Sequence, residues 1–360
     1  MPIDFKGWWW YFLYLTSLFT LLAKRETKAD DTKKSRLSNR VWVVAMFQFF
    51  VRSYAFVFVS LSNALLGIPF LGRFIDLTLA FAASAVRFGA GNHVASNVNH
   101  CKRPKKMLQL YEYEGCPFCR RVREALTVLD LDAEIYPTPR ETFKKYGYVD
   151  ESRFRPAVLK LGGKLQFPFL VDPNNGVKMY ESAKIVEYLW SEYGAEASPF
   201  VLDALASLPV LNLGVFLASG IRMLPQHGLL RTPSVNPEKK LVLYSMESSP
   251  YCRIVREALS TLELPYVLKN CAHGALRNRL AFRKKYMSHL SSTRRMVGGL
   301  LKKNIVKLPF LVDENTGIEM SESAEIVRYL METYRKGKSV NESMFDYSTE
   351  GAADGHMKIM

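Results

Sequence analysis

Residues 114–126 read EGCPFCRRVREAL, and residues 248–259 read SSPYCRIVREAL. Cys116 and Cys119 of the first stretch align with Ser249 and Cys252 of the second. A second pair of blocks follows in the same order: FPFLVDPNNGVKMYESAKIVEYLWSEY at 167–193 and LPFLVDENTGIEMSESAEIVRYLMETY at 308–334. Two long blocks recurring in one order mean that one supersecondary unit occurs twice. The likeness extends upstream, to AASAVRFG around Arg87 and LASGIRML around Arg222.

Within the first repeat, short strand patterns and helical periods alternate. Strands are expected at 107–113, 133–136, 167–171 and 177–180, the last two joined by the turn DPNNG. Helices are expected at 117–129 and 182–193, with a basic helical stretch at 143–146 between the second and third strands. The order β-α-β-α-β-β-α implies a small mixed sheet covered by helices in each repeat.

The Cys-x-x-Cys sits where a strand gives way to a helix. Cys116 falls at the helix N-terminus, where open N–H groups and the macrodipole favour an anion and lower a thiol pKa. Arg120, Arg121 and Arg123 follow in sequence and are expected to add positive charge. Cys119, one turn on, is placed to resolve a mixed disulfide. Pro117 fits the first helical position, where its missing N–H costs nothing. Two alternatives stay open, a zinc site and an inert structural pair. Zinc usually needs four ligands, yet Cys101, Cys252 and Cys271 are scattered and His93, His100, His273 and His289 show no metal spacing, so no metal is expected.

Together CPFC, FPFLVD and ESAKIVEYL resemble the glutaredoxins and the N-terminal domain of glutathione S-transferases, both of the thioredoxin-like superfamily. The tandem arrangement resembles plant and algal proteins carrying two such domains in series. The fold expected is therefore α/β, two tandem thioredoxin-like domains after an N-terminal apolar helical region. The resemblance implies a glutathione site. Pro168 and Pro309 match the family's cis-proline, and Phe167 and Leu308 precede them, their backbone facing the cysteinyl part of glutathione. Glu181 with Ser182, and Glu322 with Ser323, match the pair that holds the γ-glutamyl end. A helix N-terminus with a hydroxyl suits a carboxylate, and ordinary capping by the serine is the alternative.

The second repeat departs at the nucleophile. A serine hydroxyl cannot run thiol–disulfide exchange. Ser249 and Cys252 therefore mark either a degenerate partner, which is expected, or a serine-type transferase site. An all-helical second domain, which conventional conjugation uses, is expected after neither repeat.

Of 360 residues, 49 are Lys or Arg against 34 Asp or Glu, a net charge of +15 that favours anionic partners. Five cysteines form no disulfide framework, which points to a reducing cytosol, matrix or stroma. Residues 7–23, GWWWYFLYLTSLFTLLA, are uncharged and barely long enough to span. The basic stretch that follows orients the chain inward. An uncleaved anchor is expected there, with a targeting peptide or a buried helix as alternatives. Residues 53–71 are uncharged too, and 204–221 are expected to be a buried linking helix. Residues 264–312 carry no acidic group, a basic face suited to anionic lipid. Its sparse aromatics argue against nucleic acid.

These features divide the chain into an anchor and linker (1–40), an apolar helical region (41–104), a first domain (105–194), an apolar linker (195–240), a second domain (241–335) and a polar tail (336–360). The expected activity is a membrane-anchored, glutathione-dependent thiol–disulfide oxidoreductase acting on protein disulfides or glutathionylated proteins. A transferase or isomerase, as in prostaglandin E synthase type 2 with its N-terminal apolar segment and CPFC domain, is one alternative. A non-enzymatic scaffold or membrane adaptor is another.

Overall fold

The structure is a computed structural model that describes residues 69–140, 152–195, 209–222, 227–286 and 307–336. The expected anchor at 7–23, most of 53–71, the helical stretch at 143–146 and the tail lie outside the described residues, as do Arg294, Arg295, Lys302 and Lys303 of the basic window.

An apolar helix α1 (Pro69–Ala85) precedes the first repeat. That repeat runs β1 (Leu108–Glu112), α2 (Pro117–Val128), β2 (Ala133–Pro137), α3 (Arg155–Gly162), β3 (Phe169–Asp172), β4 (Val177–Met179) and α4 (Ser182–Tyr193). Helix α5 (Pro209–Ile221) leads to the second repeat. There follow β5 (Leu241–Ser245), α6 (Pro250–Thr261), β6 (Tyr266–Asn270), α7 (Leu276–Tyr286), β7 (Phe310–Asp313), β8 (Ile318–Ser321) and α8 (Ser323–Tyr334). The β-α-β-α-β-β-α order is the one the sequence implies. Helix α3 itself was not legible: it is a short helix with Pro156 in its first turn, closed by Gly163 at φ 77.

In each repeat the first strand pairs parallel with the second and antiparallel with the third, and the third pairs antiparallel with the fourth. This is the thioredoxin-like sheet. The repeats do not stop at two small sheets, however. Strand β2 pairs antiparallel with β6, giving one eight-stranded sheet in the order β4-β3-β1-β2-β6-β5-β7-β8. The register sets Ala133 against Leu268, Glu134 against Val267 and Ile135 against Tyr266. Ala133 is the repeat equivalent of Tyr266, and Ile135 of Leu268, so a pseudo-twofold axis passes between Glu134 and Val267. Each repeat thereby covers the other's open strand edge, which would otherwise expose unpaired backbone groups.

One apolar core runs through both repeats. It joins Leu110, Val122, Leu126, Ile135 and Leu189 to Leu243, Val255, Leu259, Leu268 and Leu330. A smaller cluster of Tyr111, Val158 and Phe169 lies under α3, on the opposite face of the sheet from α2 and α4.

The segments before the repeats cross over. Helix α1 packs on α6 and α5 packs on α2, while α1 and α5 pack together. His93, ahead of the first repeat, forms a β-bridge with His273 of the second, and Leu230, ahead of the second, bridges to Arg140 of the first.

Between the repeats lies a buried ionic cluster. Arg123 meets Glu112, Glu114 (3.0 Å) and Glu247 (3.1 Å), and its repeat partner Arg256 meets Glu114 (3.1 Å) and Glu247 (3.1 Å). Glu114 and Glu247 are themselves repeat equivalents, so each carboxylate is shared between the two guanidinium groups across the pseudo-axis. All are almost fully buried. Breaking such a pair strands an uncompensated charge, at a cost of about 3–5 kcal/mol. Arg256→Ala should therefore lower the melting temperature by roughly 10 °C. A thermal melt of this variant within about 2 °C of the native chain would show that the cluster holds nothing together.

Candidate functional site

Cys116 is the N-cap of α2. Its backbone is extended (φ −84, ψ 120), and its Sγ accepts a hydrogen bond from the Cys119 N–H at 3.3 Å. Ser249 caps α6 in the same way, with Oγ accepting from the Cys252 N–H at 3.3 Å. The two N-termini are superposable in role and differ by one atom type, sulfur against oxygen.

Burial alone would raise the Cys116 pKa, but the Cys119 thiol and the backbone N–H groups of Cys119 and Phe118 bring it below the ordinary thiol value. Burial and the neighbouring Cys116 push the Cys119 thiol well up. The pair is therefore polarised, with Cys116 the more readily ionised thiol and Cys119 the one that holds its proton. The arginines do not supply this polarity. Arg120 pairs with Glu124 (3.1 Å) and Arg123 with the acidic cluster, both turned into the interface. Glu112 works against ionisation of Cys116.

A cleft of about 360 Å³ opens at Cys116, within the range of small-molecule sites. Cys116, Phe167, Pro168, Glu181 and Ser182 all line it, so the sequence-derived residues of the first repeat converge. Cys119 lies beneath, fully buried. The Phe167–Pro168 bond is cis, as is Leu308–Pro309 in the second repeat.

The Glu-Ser pair differs from a simple cap. Glu181, not Ser182, occupies the N-cap of α4, makes no side-chain cap bond, and sits at φ 68. Glu322 repeats this at φ 77 ahead of α8. Such a backbone costs a non-glycine residue of order 1–3 kcal/mol. Finding it twice means that the turn, rather than the cap, is what both repeats keep. Ser182 is then the first residue of the helix, buried at the cleft wall. Gln166 Nε2 donates to Glu181, and Lys307 pairs with Glu322 at 3.3 Å in the equivalent place.

Sequence reasoning missed Tyr113, Arg140, Arg155 and Gln166, which also line the cleft. Arg155 donates from Nε to the Pro139 carbonyl (3.0 Å) and from NH2 to the Thr138 carbonyl (2.9 Å), and its guanidinium lies 5.0 Å from the centre of the Phe167 ring. It fixes the ring that precedes the cis-proline. Arg140 is held by backbone bonds to Leu229 and Arg231 of the linker before the second repeat. Aligning the repeats sets Arg140 against His273 and Tyr113 against Met246, a contrast visible in the sequence. Arg155 lies where the repeats do not align, so no such signal marks it.

In the second repeat, Ser249, Cys252, Leu308, Pro309, Glu322 and Ser323 keep the backbone frame. The thiol and Arg140 have no counterpart there. The basic window is also less open than its sequence suggests. Lys269 and Arg277 pair with Asp132 of the first repeat at 3.0 and 2.8 Å, and Arg279 donates to the Cys271 and Ala272 carbonyls. Lys269 and Arg277 of this window therefore serve the contact between repeats. Among the described residues there is no cluster of potential metal ligands, and no helix is long and apolar enough to cross a membrane.

A profile of the family described as glutathione S-transferase, N-terminal domain, matches residues 110–199 and 243–289. Segments of both repeats are thus similar to the glutathione S-transferase N-terminal domain, consistent with two such domains in tandem. Comparisons with curated proteins and with solved structures return no match. Domains of this family bind glutathione and serve glutathione-dependent oxidoreductases and transferases. The matched segments cover less than half of the chain, and the helices α1 and α5 lie outside them.

Glu112 has no counterpart in the second domain, where Ser245 stands. Burial lifts its pKa, and although Arg123 opposes this, Glu114 and Glu247 add to it, leaving a value of about 7. The contact with Arg123 does not prevent the rise, because one guanidinium is shared among three carboxylates. Folding thus favours neutral Glu112. The stability it contributes is full below its ordinary value of 4.5 and is lost as pH rises through about 7. Glu112→Gln should match the native chain in thermal melts at low pH and exceed it at about pH 8. It should also move the Cys116 thiolate absorbance to lower pH, since a like charge is removed. An unchanged melting difference across this range, or a shift of the thiolate to higher pH, contradicts the assignment.

Proposed function

We propose that the chain is a glutathione-dependent thiol–disulfide oxidoreductase in which the first domain carries the chemistry and the second is its structural partner. The observation that supports this most is the polarised Cys116–Cys119 pair at the floor of the cleft lined by Phe167, Pro168, Glu181 and Ser182.

In this reading the glutathione half of a mixed disulfide occupies the cleft. The backbone of Phe167 faces its cysteinyl part, and the start of α4 faces its γ-glutamyl carboxylate. The Cys116 thiolate attacks the glutathione sulfur. The Cys116–glutathione disulfide forms, the old disulfide breaks, and the substrate leaves as a thiolate that takes up a proton. A second glutathione thiolate then attacks the glutathione sulfur, releasing oxidised glutathione and restoring the Cys116 thiolate. Alternatively, Cys119 gives up its proton and attacks Cys116 Sγ, releasing glutathione and leaving a Cys116–Cys119 disulfide. The raised pKa of Cys119 slows that second route and makes the first the main one.

The second domain cannot take the first step, since Ser249 offers a hydroxyl that already caps α6. Membrane anchoring through residues 7–23, with the folded domains in a reducing compartment, belongs to this proposal as well.

Turnover of a glutathionylated substrate, with glutathione as reductant, tests it. Cys116→Ser should fall to the uncatalysed rate. Cys119→Ser should keep most of its activity, and Ser249→Ala should keep all of it. Turnover that survives Cys116→Ser, or that vanishes with Ser249→Ala, overturns the assignment.

A further inference from the structure

Helix α1 is built inside out. Its inward face carries Gly72, Asp76, Ala80 and Ala83, and Arg87 follows on the same side. Asp76 meets Arg222 at 2.6 Å and His227 at 3.2 Å, while Arg87 holds Glu124 through two bonds of 2.9 and 2.6 Å. Its outward face carries Phe74 and Phe81, which are 62% and 48% exposed, with Thr78 between them. Arg73 is exposed, but Asp76 and the following Arg87 point in and the two rings point out.

Helix α5 repeats the arrangement. Gly214, Val215, Ala218 and Ser219 are buried, whereas Phe216 and Leu217 are about half exposed. The expectation of a wholly buried linking helix is therefore met on one face only. A Cβ on Gly214 would lie 2.8 Å from the Val86 carbonyl oxygen, so backbone approaches backbone where the segments cross.

The apolar face continues onto the two domains. The Phe81 ring meets Tyr251 edge-on at 5.8 Å, and the Phe118 ring meets Phe216 at 5.3 Å. Tyr251 and Phe118 are themselves exposed, in the first turns of α6 and α2. One continuous surface thus runs over α1, α5 and both domain N-termini, and through Phe118 it reaches the rim of the Cys116 cleft.

A water-facing helix pair turns its polar face outward. Small residues at the crossing, large apolar residues outside and ions inside are the packing of helices that face lipid. A contiguous exposed apolar patch marks a binding surface. The chain that enters α1 supports a bilayer as the occupant, because residues 53–72 carry no charge. Among the described residues no helix is long and apolar enough to cross a membrane, and the exposed rings on one side of α1 and α5 suit the plane of the interface. The net charge of +15 suits anionic headgroups around them.

We propose that the α1–α5 face is a bilayer-binding surface that lies in the lipid interface and holds the mouth of the Cys116 cleft at the membrane. This surface is distinct from both the N-terminal apolar run and the basic window, and it does not depend on the chemistry at Cys116.

The test uses the full chain with p-benzoylphenylalanine in place of Phe74, Phe81 or Phe216, bound to vesicles of phosphatidylcholine and phosphatidylglycerol. After irradiation, adducts are identified by mass spectrometry. Leu159, exposed on α3 across the sheet, is the control position. Lipid adducts at the three ring positions and none at position 159 are expected. Adducts to a second copy, adducts only to the chain itself, or equal lipid labelling at position 159 would each overturn the proposal. Each variant changes one exposed ring to a larger one, so the three positions report independently.

Discussion

The antiparallel pairing of β2 with β6 is the constraint from which the rest follows. It brings two repeats into one sheet and turns the arginines of their first helices toward the carboxylates between them. Arginines and glutamates from both then meet out of reach of the surface. Arg123 and Arg256 are buried there with Glu114 and Glu247 presented from both repeats at once. Arg123 also has Glu112 of its own repeat, whereas Arg256 takes one of its two carboxylates, Glu114, from the other. The crossed segments before each repeat tighten the same arrangement, with α1 on α6 and α5 on α2.

This constraint separates what the repeats share from what they do not. RRVREAL and RIVREAL share Arg120 with Arg253, Arg123 with Arg256, and Glu124 with Glu257, which are the residues of the interface. Around the cleft the differences are Cys116 against Ser249, Arg140 against His273 and Tyr113 against Met246, and in the ionic cluster Ser245 stands where the first repeat has Glu112. The second domain keeps Glu247, Arg253, Arg256 and Glu257 of the shared cluster and lacks the nucleophilic thiol and Arg140 of the first cleft. A domain retained for its half of a common core fits that division.

The tandem thioredoxin-like fold was legible because it rests on local signals. The repeat, the period-2 strands, Pro117 and Pro250 at helix starts, and the turn before Val177 can all be read one segment at a time. The site residues Cys116, Phe167, Pro168, Glu181 and Ser182 were legible for the same reason, as they belong to motifs. What the sequence hid is long-range. Nothing local shows that Arg120 and Arg123 turn into an interface rather than toward the thiol. Nor does it show that Lys269 and Arg277 face Asp132 rather than solvent. Apolar periodicity in α1 marks a helix but not which face looks out, because its buried face is the charged one. Arg155 enters the cleft from a helix in the least alignable part of the repeat.

The central claim is that Cys116, in the first domain alone, carries glutathione during turnover. Incubating the Cys119→Ser chain with a glutathionylated substrate, quenching with acid and mapping the peptides tests it most directly. The account predicts a glutathione disulfide on Cys116 and none on Cys101, Cys252 or Cys271. Glutathione on Cys252 or Cys271 with Cys116 left free would contradict it.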